Sequence, residues 1–257
     1  MVDRALIVVP AFNEGERLPR FVDDIAGTLV ARADMDVHVE SDGSRSDEAQ
    51  RMENAVRDTC VRSRLAPGRL RFRHHGQNRG KGSVLRQAFS EGARSGHYDV
   101  IGFLDADGST PFAEGVRLVD RLRGEWAVAD AMIGCRLKCL GIDVERKLTR
   151  HLVGRVFATL VSTLFGIPVY DSQCGAKFFK TTVLTPERLA LCDDDRWLFD
   201  TQLLIALWLA GVRVRECPVE WHDAPGSKVS LVRDPLRMGG GLLAFRRRLS
   251  AHGLRVR

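Results

Sequence analysis

Runs rich in apolar residues alternate with helical patterns through the first half of the chain. Residues 5–9, 36–40, 70–73, 99–104 and 131–135 read as strands, and helices are predicted near 15–31, 46–62, 81–95 and 112–123. In the first helix Leu18, Phe21, Val22, Ile25 and Leu29 recur at helical spacing, and Pro19 fits only an opening turn. Strand-helix alternation predicts an α/β fold: a Rossmann-like, mostly parallel sheet with helices on both faces. Ligands of such sheets bind outside the carboxyl ends of the strands.

Those strand ends carry polar clusters. The first strand runs into Pro10-Ala11-Phe12-Asn13-Glu14, the second into Ser41-Asp42-Gly43-Ser44, the third precedes Asn78-Arg79-Gly80-Lys81-Gly82, and the fourth ends in Asp105-Ala106-Asp107-Gly108-Ser109. One Asp-Gly-Ser would be a turn. Clusters repeated at the end where a ligand sits point to a site.

Asp105 and Asp107, two positions apart after an apolar strand, point the same way. Paired carboxylates repel unless a cation joins them, and Mg²⁺ or Mn²⁺ bridging a pyrophosphate would answer that. The competing explanation is a cap on the helix near 112, made by Asp107 or Ser109. Asp42 can accept hydrogen bonds from a base or ribose, or can belong to a turn alone. The 78–82 segment offers glycines, cations and a helix start suited to phosphate, yet lacks the spacing of a Walker loop. Solvated charges at a helix start are its plainer explanation.

Composition narrows the class further. With 44% hydrophobic and 28% charged residues the chain can build a core, so wholesale disorder is excluded. Its 257 residues carry no repeat or evident linker, and a single domain over 1–257 is expected. The net charge of +6 suits an anionic partner, whether nucleotide, phospholipid surface or nucleic acid. The cysteines at 60, 135, 139, 174, 192 and 217 form no Cys-x-x-Cys, which argues for reduced thiols and against structural zinc. The apolar run at 5–9 is too short for a signal peptide, and 152–170, interrupted by Arg155, is a poor candidate for a membrane span.

Two segments combine apolar and basic character. Over 143–165, Leu148, Leu152, Val156, Phe157, Leu160, Val161, Leu164 and Phe165 form a stripe near Arg146, Lys147, Arg150 and Arg155. A core helix explains it, and so does a basic amphipathic helix on a membrane surface. Over 228–257, eight basic residues face one acid, Asp234, and Arg246-Arg247-Arg248 follow Leu242-Leu243-Ala244-Phe245.

In order along the chain, Val9-Pro10-Ala11-Phe12-Asn13-Glu14, Asn78 to Gly82, Asp105-Ala106-Asp107-Gly108, Asp171-Ser172-Gln173-Cys174-Gly175, Arg196-Trp197-Leu198-Phe199-Asp200 and Gly226-Ser227-Lys228-Val229 resemble the family 2 glycosyltransferases of the GT-A fold. The likeness spans about Leu6 to Met238 and is strongest to the dolichyl-phosphate glucosyltransferase and dolichyl-phosphate mannose synthase group. It implies inverting transfer of a hexose from a nucleoside diphosphate sugar, tilted toward UDP-glucose, to a polyprenyl phosphate at the cytoplasmic membrane face. By the same resemblance Pro10, Ala11, Asn13, Glu14, Asp42 and Asp105 would line the nucleotide, with Lys81 in its phosphate-rich loop. Asp107, with Asp105, would hold the metal. Arg136 matches the family's Gly-Ser-Arg, and with Arg146 and Arg150 it would form an arginine clamp on phosphate.

An ionised phosphate acceptor needs no strong base, whereas a hydroxyl acceptor does. Asp200 would then be a base, an organiser of the acceptor site, or the N-cap of a helix ahead of Leu203. The chain departs from the family at Ser41, Cys135, Ala176 and Gln202, and lacks the membrane span of the eukaryotic glucosyltransferases. A small soluble acceptor is therefore the first alternative, and a non-catalytic nucleotide or nucleic-acid binder the second. RNA-type aromatic stacking patterns are missing, so nucleic acid is not expected as a partner.

Overall fold

The computed structural model describes residues 3–223 and 233–251. The Gly226-Ser227-Lys228-Val229 motif and the first and last parts of the basic C-terminal segment lie outside the described residues.

The expected alternation is present with longer strands: β1 (Ala5–Ala11), α1 (Leu18–Ala31), β2 (Met35–Asp42), α2 (Ser46–Arg62), β3 (Leu70–His75), α3 (Lys81–Ser95), β4 (Val100–Leu104), α4 (Phe112–Gly124) and β5 (Ala131–Cys135). A short β6 (Val144–Glu145) precedes α5 (Leu148–Phe165), then come β7 (Ala176–Lys180), α6 (Pro186–Leu191), α7 (Phe199–Leu209), β8 (Val214–Pro218), β9 (Trp221–His222) and α8 (Arg233–Ala251). The main sheet runs β3-β2-β1-β4-β7-β5-β8, with β6 and β9 paired apart from it. All its pairings are parallel except those of β7, which lies antiparallel between β4 and β5. The fold is thus α/β and mostly parallel, as the alternation predicts.

Alternate strand residues face opposite layers. Leu6 and Val8 of β1 join a core with α3, α5, α6, α7 and α8, while Ala5, Ile7 and Val9 join one with α1, α2 and α4. Burial on both sides explains why β1, β4 and β5 read as continuous apolar runs. Because β7 runs backwards, its entry, Asp171 to Gly175, comes to the edge where β1, β2 and β4 end. There the Asp105 amide donates to the Gly175 carbonyl. A Cβ at Gly175 would stand 2.1 Å from an Asp105 carboxylate oxygen, so the approach requires glycine.

The stripe of α5 divides. Phe157, Val161 and Phe165 enter the core, whereas Leu148 and Val156 are 70% and 71% exposed and Leu152 and Leu160 face outward with them. The helix is apolar on two faces rather than one. Arg155 serves neither, since it lies over the Tyr170 ring at 4.0 Å. Among the described residues no helix is long and apolar enough to cross a membrane, and all six cysteines are unpaired thiols.

Candidate functional site

A cleft of about 890 Å³ opens at the carboxyl edge of the sheet. Pro10, Ala11 and Glu14 enter it from the end of β1, Asp42 from β2, Lys81 from the start of α3, and Asp105 and Asp107 from the turn after β4. Arg136 follows β5, Arg150 lies on α5, and Asp200 lies in the first turn of α7. Residues scattered over 190 positions of the sequence meet here because every parallel strand ends at one edge. Asn13 is not among the lining residues. It adopts a left-handed turn (φ 49°), and its side-chain carbonyl accepts from the Arg45 amide at 2.9 Å, tying the end of β1 to α2.

The floor is acidic. Lys81 Nζ lies 2.5 Å from Asp105 Oδ1 and 4.6 Å above the Phe103 ring. Burial opposes the Lys81 charge, yet Asp105, Asp200 and Asp107 hold its pKa above the ordinary value. Asp105 is also raised, by burial first and then by Asp107 and Asp200, against the pull of Lys81. Burial is the larger cause at Asp105, but both shifts also reflect carboxylates that outnumber the cation balancing them. That excess fits an added divalent cation. Among the described residues no group of three or more His, Cys, Asp or Glu stands ready to hold one alone. Asp105 and Asp107 would offer hard oxygen donors, leaving coordination positions to phosphate oxygens and water, as Mg²⁺ prefers.

The helix-cap explanation of Asp107 does not hold. Its Oδ1 accepts from the Ser109 amide at 3.0 Å within the turn, and the first amide of α4, on Phe112, donates to Asp24. Asp200 is no cap either. Residue 198 occupies that position, and its amide donates to Asp194. Asp200 instead takes Lys177 Nζ on Oδ2 at 2.8 Å, while its Oδ1 is buried with no hydrogen-bond partner among the described residues.

Two expectations change with the local geometry. The start of α3 is not open to phosphate, because the Gly82 and Ser83 amides both donate to the Asp195 carbonyl. Gly80, at φ 99°, lets that loop close over the helix end; a Cβ there would lie 2.0 Å from the same carbonyl. Asp42 lines the cleft, but both its oxygens are held at 2.8 Å by the amides of Arg79 and Gly80. It braces the turn that aims Lys81.

The opposite wall is basic. Arg136 is held by Asp171 through Nε at 2.6 Å and Nη2 at 2.8 Å, and Arg150 by Asp223 at 2.8 Å. Arg146 lies between them and forms no ion pair among the described residues; it donates only to the Arg150 carbonyl. Burial and the neighbouring Arg136 push its pKa down to about 10. A half-buried guanidinium without a counter-ion is poised to receive an anion. Sequence reasoning missed the aromatic lining, Trp197 and Trp221, and the fully buried Lys177. Lys177 sits inside the apolar run Ala-Lys-Phe-Phe-Lys, and an out-of-place lysine was the available signal.

Comparison with known proteins places this geometry. The sequence profile of glycosyl transferase family 2 matches residues 6–184. The chain is 27% identical over 253 residues to the dolichyl-phosphate beta-glucosyltransferase of Saccharomyces cerevisiae, covering 93% of this chain and 73% of that one. It is 29% identical over 252 residues to the Homo sapiens enzyme of that name, covering 94% and 74%. To glycosyltransferase AglD of Haloferax volcanii it is 32% identical over 243 residues, covering 92% of this chain and 36% of the other. Among solved structures, glucosyl-3-phosphoglycerate synthase from Mycobacterium tuberculosis, in complex with uridine diphosphate, superposes with a TM-score of 0.65 at 18% identity over 98% of this chain and 81% of that one. At that identity the likeness speaks for the fold.

Proposed function

The chain belongs to glycosyl transferase family 2, and on that premise we propose that it moves a hexose, with inversion, from a nucleoside diphosphate sugar to a polyprenyl phosphate at the cytoplasmic face of a membrane. UDP-glucose is the favoured donor, by analogy with the named relatives. The observation that carries the reading is the cleft's division into an acidic floor, Asp105 and Asp107, and a basic wall where Arg146 has no counter-ion among the described residues.

In this reading Pro10, Ala11 and Glu14 flank the nucleotide, and Lys81 meets the diphosphate. Asp105 and Asp107 would hold Mg²⁺ or Mn²⁺, a choice supported by the Mycobacterium tuberculosis synthase, described in complex with Mn²⁺ or Mg²⁺ and uridine diphosphate. Such an ion would neutralise charge on the departing diphosphate. Arg146, flanked by Arg136 and Arg150, receives the acceptor phosphate. One of its oxygens attacks the anomeric carbon from the face opposite the diphosphate, the new C–O bond forming as the bond to the nucleotide breaks. A phosphate monoester is ionised near neutral pH, so no strong base is required. Positioning and charge stabilisation do the work.

A donor panel with Mn²⁺ tests this, measuring transfer with and without undecaprenyl phosphate. Prenyl-linked product from one nucleotide sugar is expected. Donor hydrolysis without such product would move the acceptor to a soluble molecule, and no turnover with any donor would favour a non-catalytic binder.

The outward face of α5 supports the membrane part. Leu148, Leu152, Val156 and Leu160 lie one turn apart on the helix whose inner side lines the cleft, with Lys147 exposed beside them. Leu243, Arg246 and Arg247 are exposed on α8, which packs against α5. Arg248, by contrast, turns back to pair with Asp193. Exposed apolar side chains on packed helices that also present cations match an anionic bilayer surface. Leu148→Ser with Leu152→Ser and Val156→Ser should weaken co-sedimentation with anionic phosphatidylglycerol vesicles at least about 10-fold. Undiminished vesicle binding by that variant would remove α5 from the contact.

A further inference from the structure

We propose that Asp200 Oδ1 receives a hydroxyl of the sugar being transferred, and that Lys177 is the positioning residue that keeps it aimed. The proposal rests on the donor reading above and deepens it.

Lys177 is 0% exposed, beneath the floor of the cleft. Its ammonium donates to the Cys174 carbonyl at 2.7 Å and to Asp200 Oδ2 at 2.8 Å, and stands 5.6 Å from the Phe103 ring centroid. One carboxylate oxygen is thereby fixed from below. The other is buried, on a residue that lines the cleft and is 6% exposed, and it has no partner among the described residues. An acceptor left in that condition is costly unless a ligand supplies a donor.

The chemistry of that donor follows from charge. A phosphate carries no proton to offer near neutral pH and would be repelled by Asp200, and the arginine wall already suits it. A base or ribose lies nearer the ends of β1 and β2. Asp200 acts electrostatically on both Lys81 and Asp105, so it sits beside the diphosphate end, where the hexose is attached. A carboxylate acceptor next to an aromatic face, here Trp197 with Lys81 Nζ 5.6 Å from its ring centroid, is the combination that sugars require: hydroxyls to donate and C–H faces to pack. Gln173, donating to Thr201 beside Asp200, completes that side. The family's use of an acidic residue as base is not needed for a phosphate acceptor, which leaves Asp200 for recognition.

The test is calorimetric binding, with Mn²⁺, of UDP, UDP-glucose and the 2-, 3-, 4- and 6-deoxy forms of UDP-glucose. In the wild type, one deoxy donor should bind about 10–100-fold more weakly than UDP-glucose, the loss expected when a charged acceptor is left unpaired. Lys177→Met should shrink that ratio, while UDP affinity stays within about 2-fold. A merely structural lysine would not alter selectivity between two sugars differing by one oxygen. Because Lys177→Met strands a buried carboxylate, the paired change Lys177→Met with Asp200→Leu is the second arm, removing both charges at similar volume. The ratio should fall to about 1 there. Equal binding of every deoxy donor by the wild type would overturn the proposal while leaving the donor reading intact. So would a ratio preserved in the paired variant. If the wild type binds neither UDP nor UDP-glucose, the donor reading falls and takes this proposal with it.

Discussion

Asp107→Ala is expected to lower kcat for metal-supported sugar transfer by about 10³-fold, corresponding to roughly 4 kcal/mol of lost charge stabilisation. The side chain lies part-exposed in the turn after β4, where it accepts from the Ser109 amide and acts electrostatically on Arg17 and Lys81. Thermal stability should therefore move little, within about 1 kcal/mol. Turnover should also lose its dependence on added Mn²⁺, since one of two carboxylate donors has gone. Asp105→Ala is the less clean experiment, because it also strands Lys81 in the floor. A variant that binds UDP as before and turns over within a few-fold of wild type would end the metal assignment. Unchanged binding by a wild type with no turnover at all would revive the non-catalytic alternative.

Asp171→Ala is the substitution with the largest expected cost to stability. Asp171 is 5% exposed and accepts from Arg136 at Nε, Nη2 and its amide, and from the Gln173 amide. Glu216 holds the same loop from beneath, accepting from the Tyr170 and Asp171 amides. Removing the carboxylate leaves the Arg136 guanidinium enclosed without a counter-ion, a change that costs about 3–5 kcal/mol and should lower Tm by on the order of 10 °C. The pH dependence follows from the same pair. Burial alone would raise the Asp171 pKa, but Arg136 and then Arg146 hold it well below the usual carboxylate range. A depressed pKa means that the stabilisation is complete above the unfolded value, about 4, and is lost as pH falls below it. Wild type should lose stability on acidification from about pH 4, and the variant should lose less over that interval. Melts recorded at pH 7 and at pH 3 decide it: equal acid losses in both proteins would mean that the Arg136–Asp171 pair contributes nothing.

The first half of the fold was legible because it obeys one rule repeatedly. β1, β4 and β5 are buried along nearly their whole length, and polar clusters follow the first four strands, so the parallel sheet and its ligand edge could be read from residues 5 to 135 without coordinates. Beyond that point the rule fails. The run that becomes β7 sets two phenylalanines between two lysines, and Lys177 and Lys180 are both buried, one against Asp200 and the other against Asp130. Their ionic partners lie 23 and 50 residues away, which no local pattern can announce. The same is true of the Asp195 carbonyl that closes the start of α3. The candidate site shows the division plainly. Asp105, Asp107 and Lys81 were recognisable as charged residues at strand and helix ends. That Arg136 and Arg150 are already neutralised, and Arg146 has no counter-ion among the described residues, depended on Asp171, in the loop that enters the antiparallel strand, and on Asp223, which follows β9.

That strand also sets an order of events during synthesis. β5 reaches the sheet only through β7, since β4 and β5 each pair with it rather than with one another. A nascent chain that has released β5 but not residue 180 carries two strand edges with nothing between them. At ordinary elongation rates the interval lasts on the order of a few seconds. During it those edges are open to other chains. The antiparallel strand that brings Gly175 against Asp105 is therefore also the strand whose emergence closes the half-built sheet.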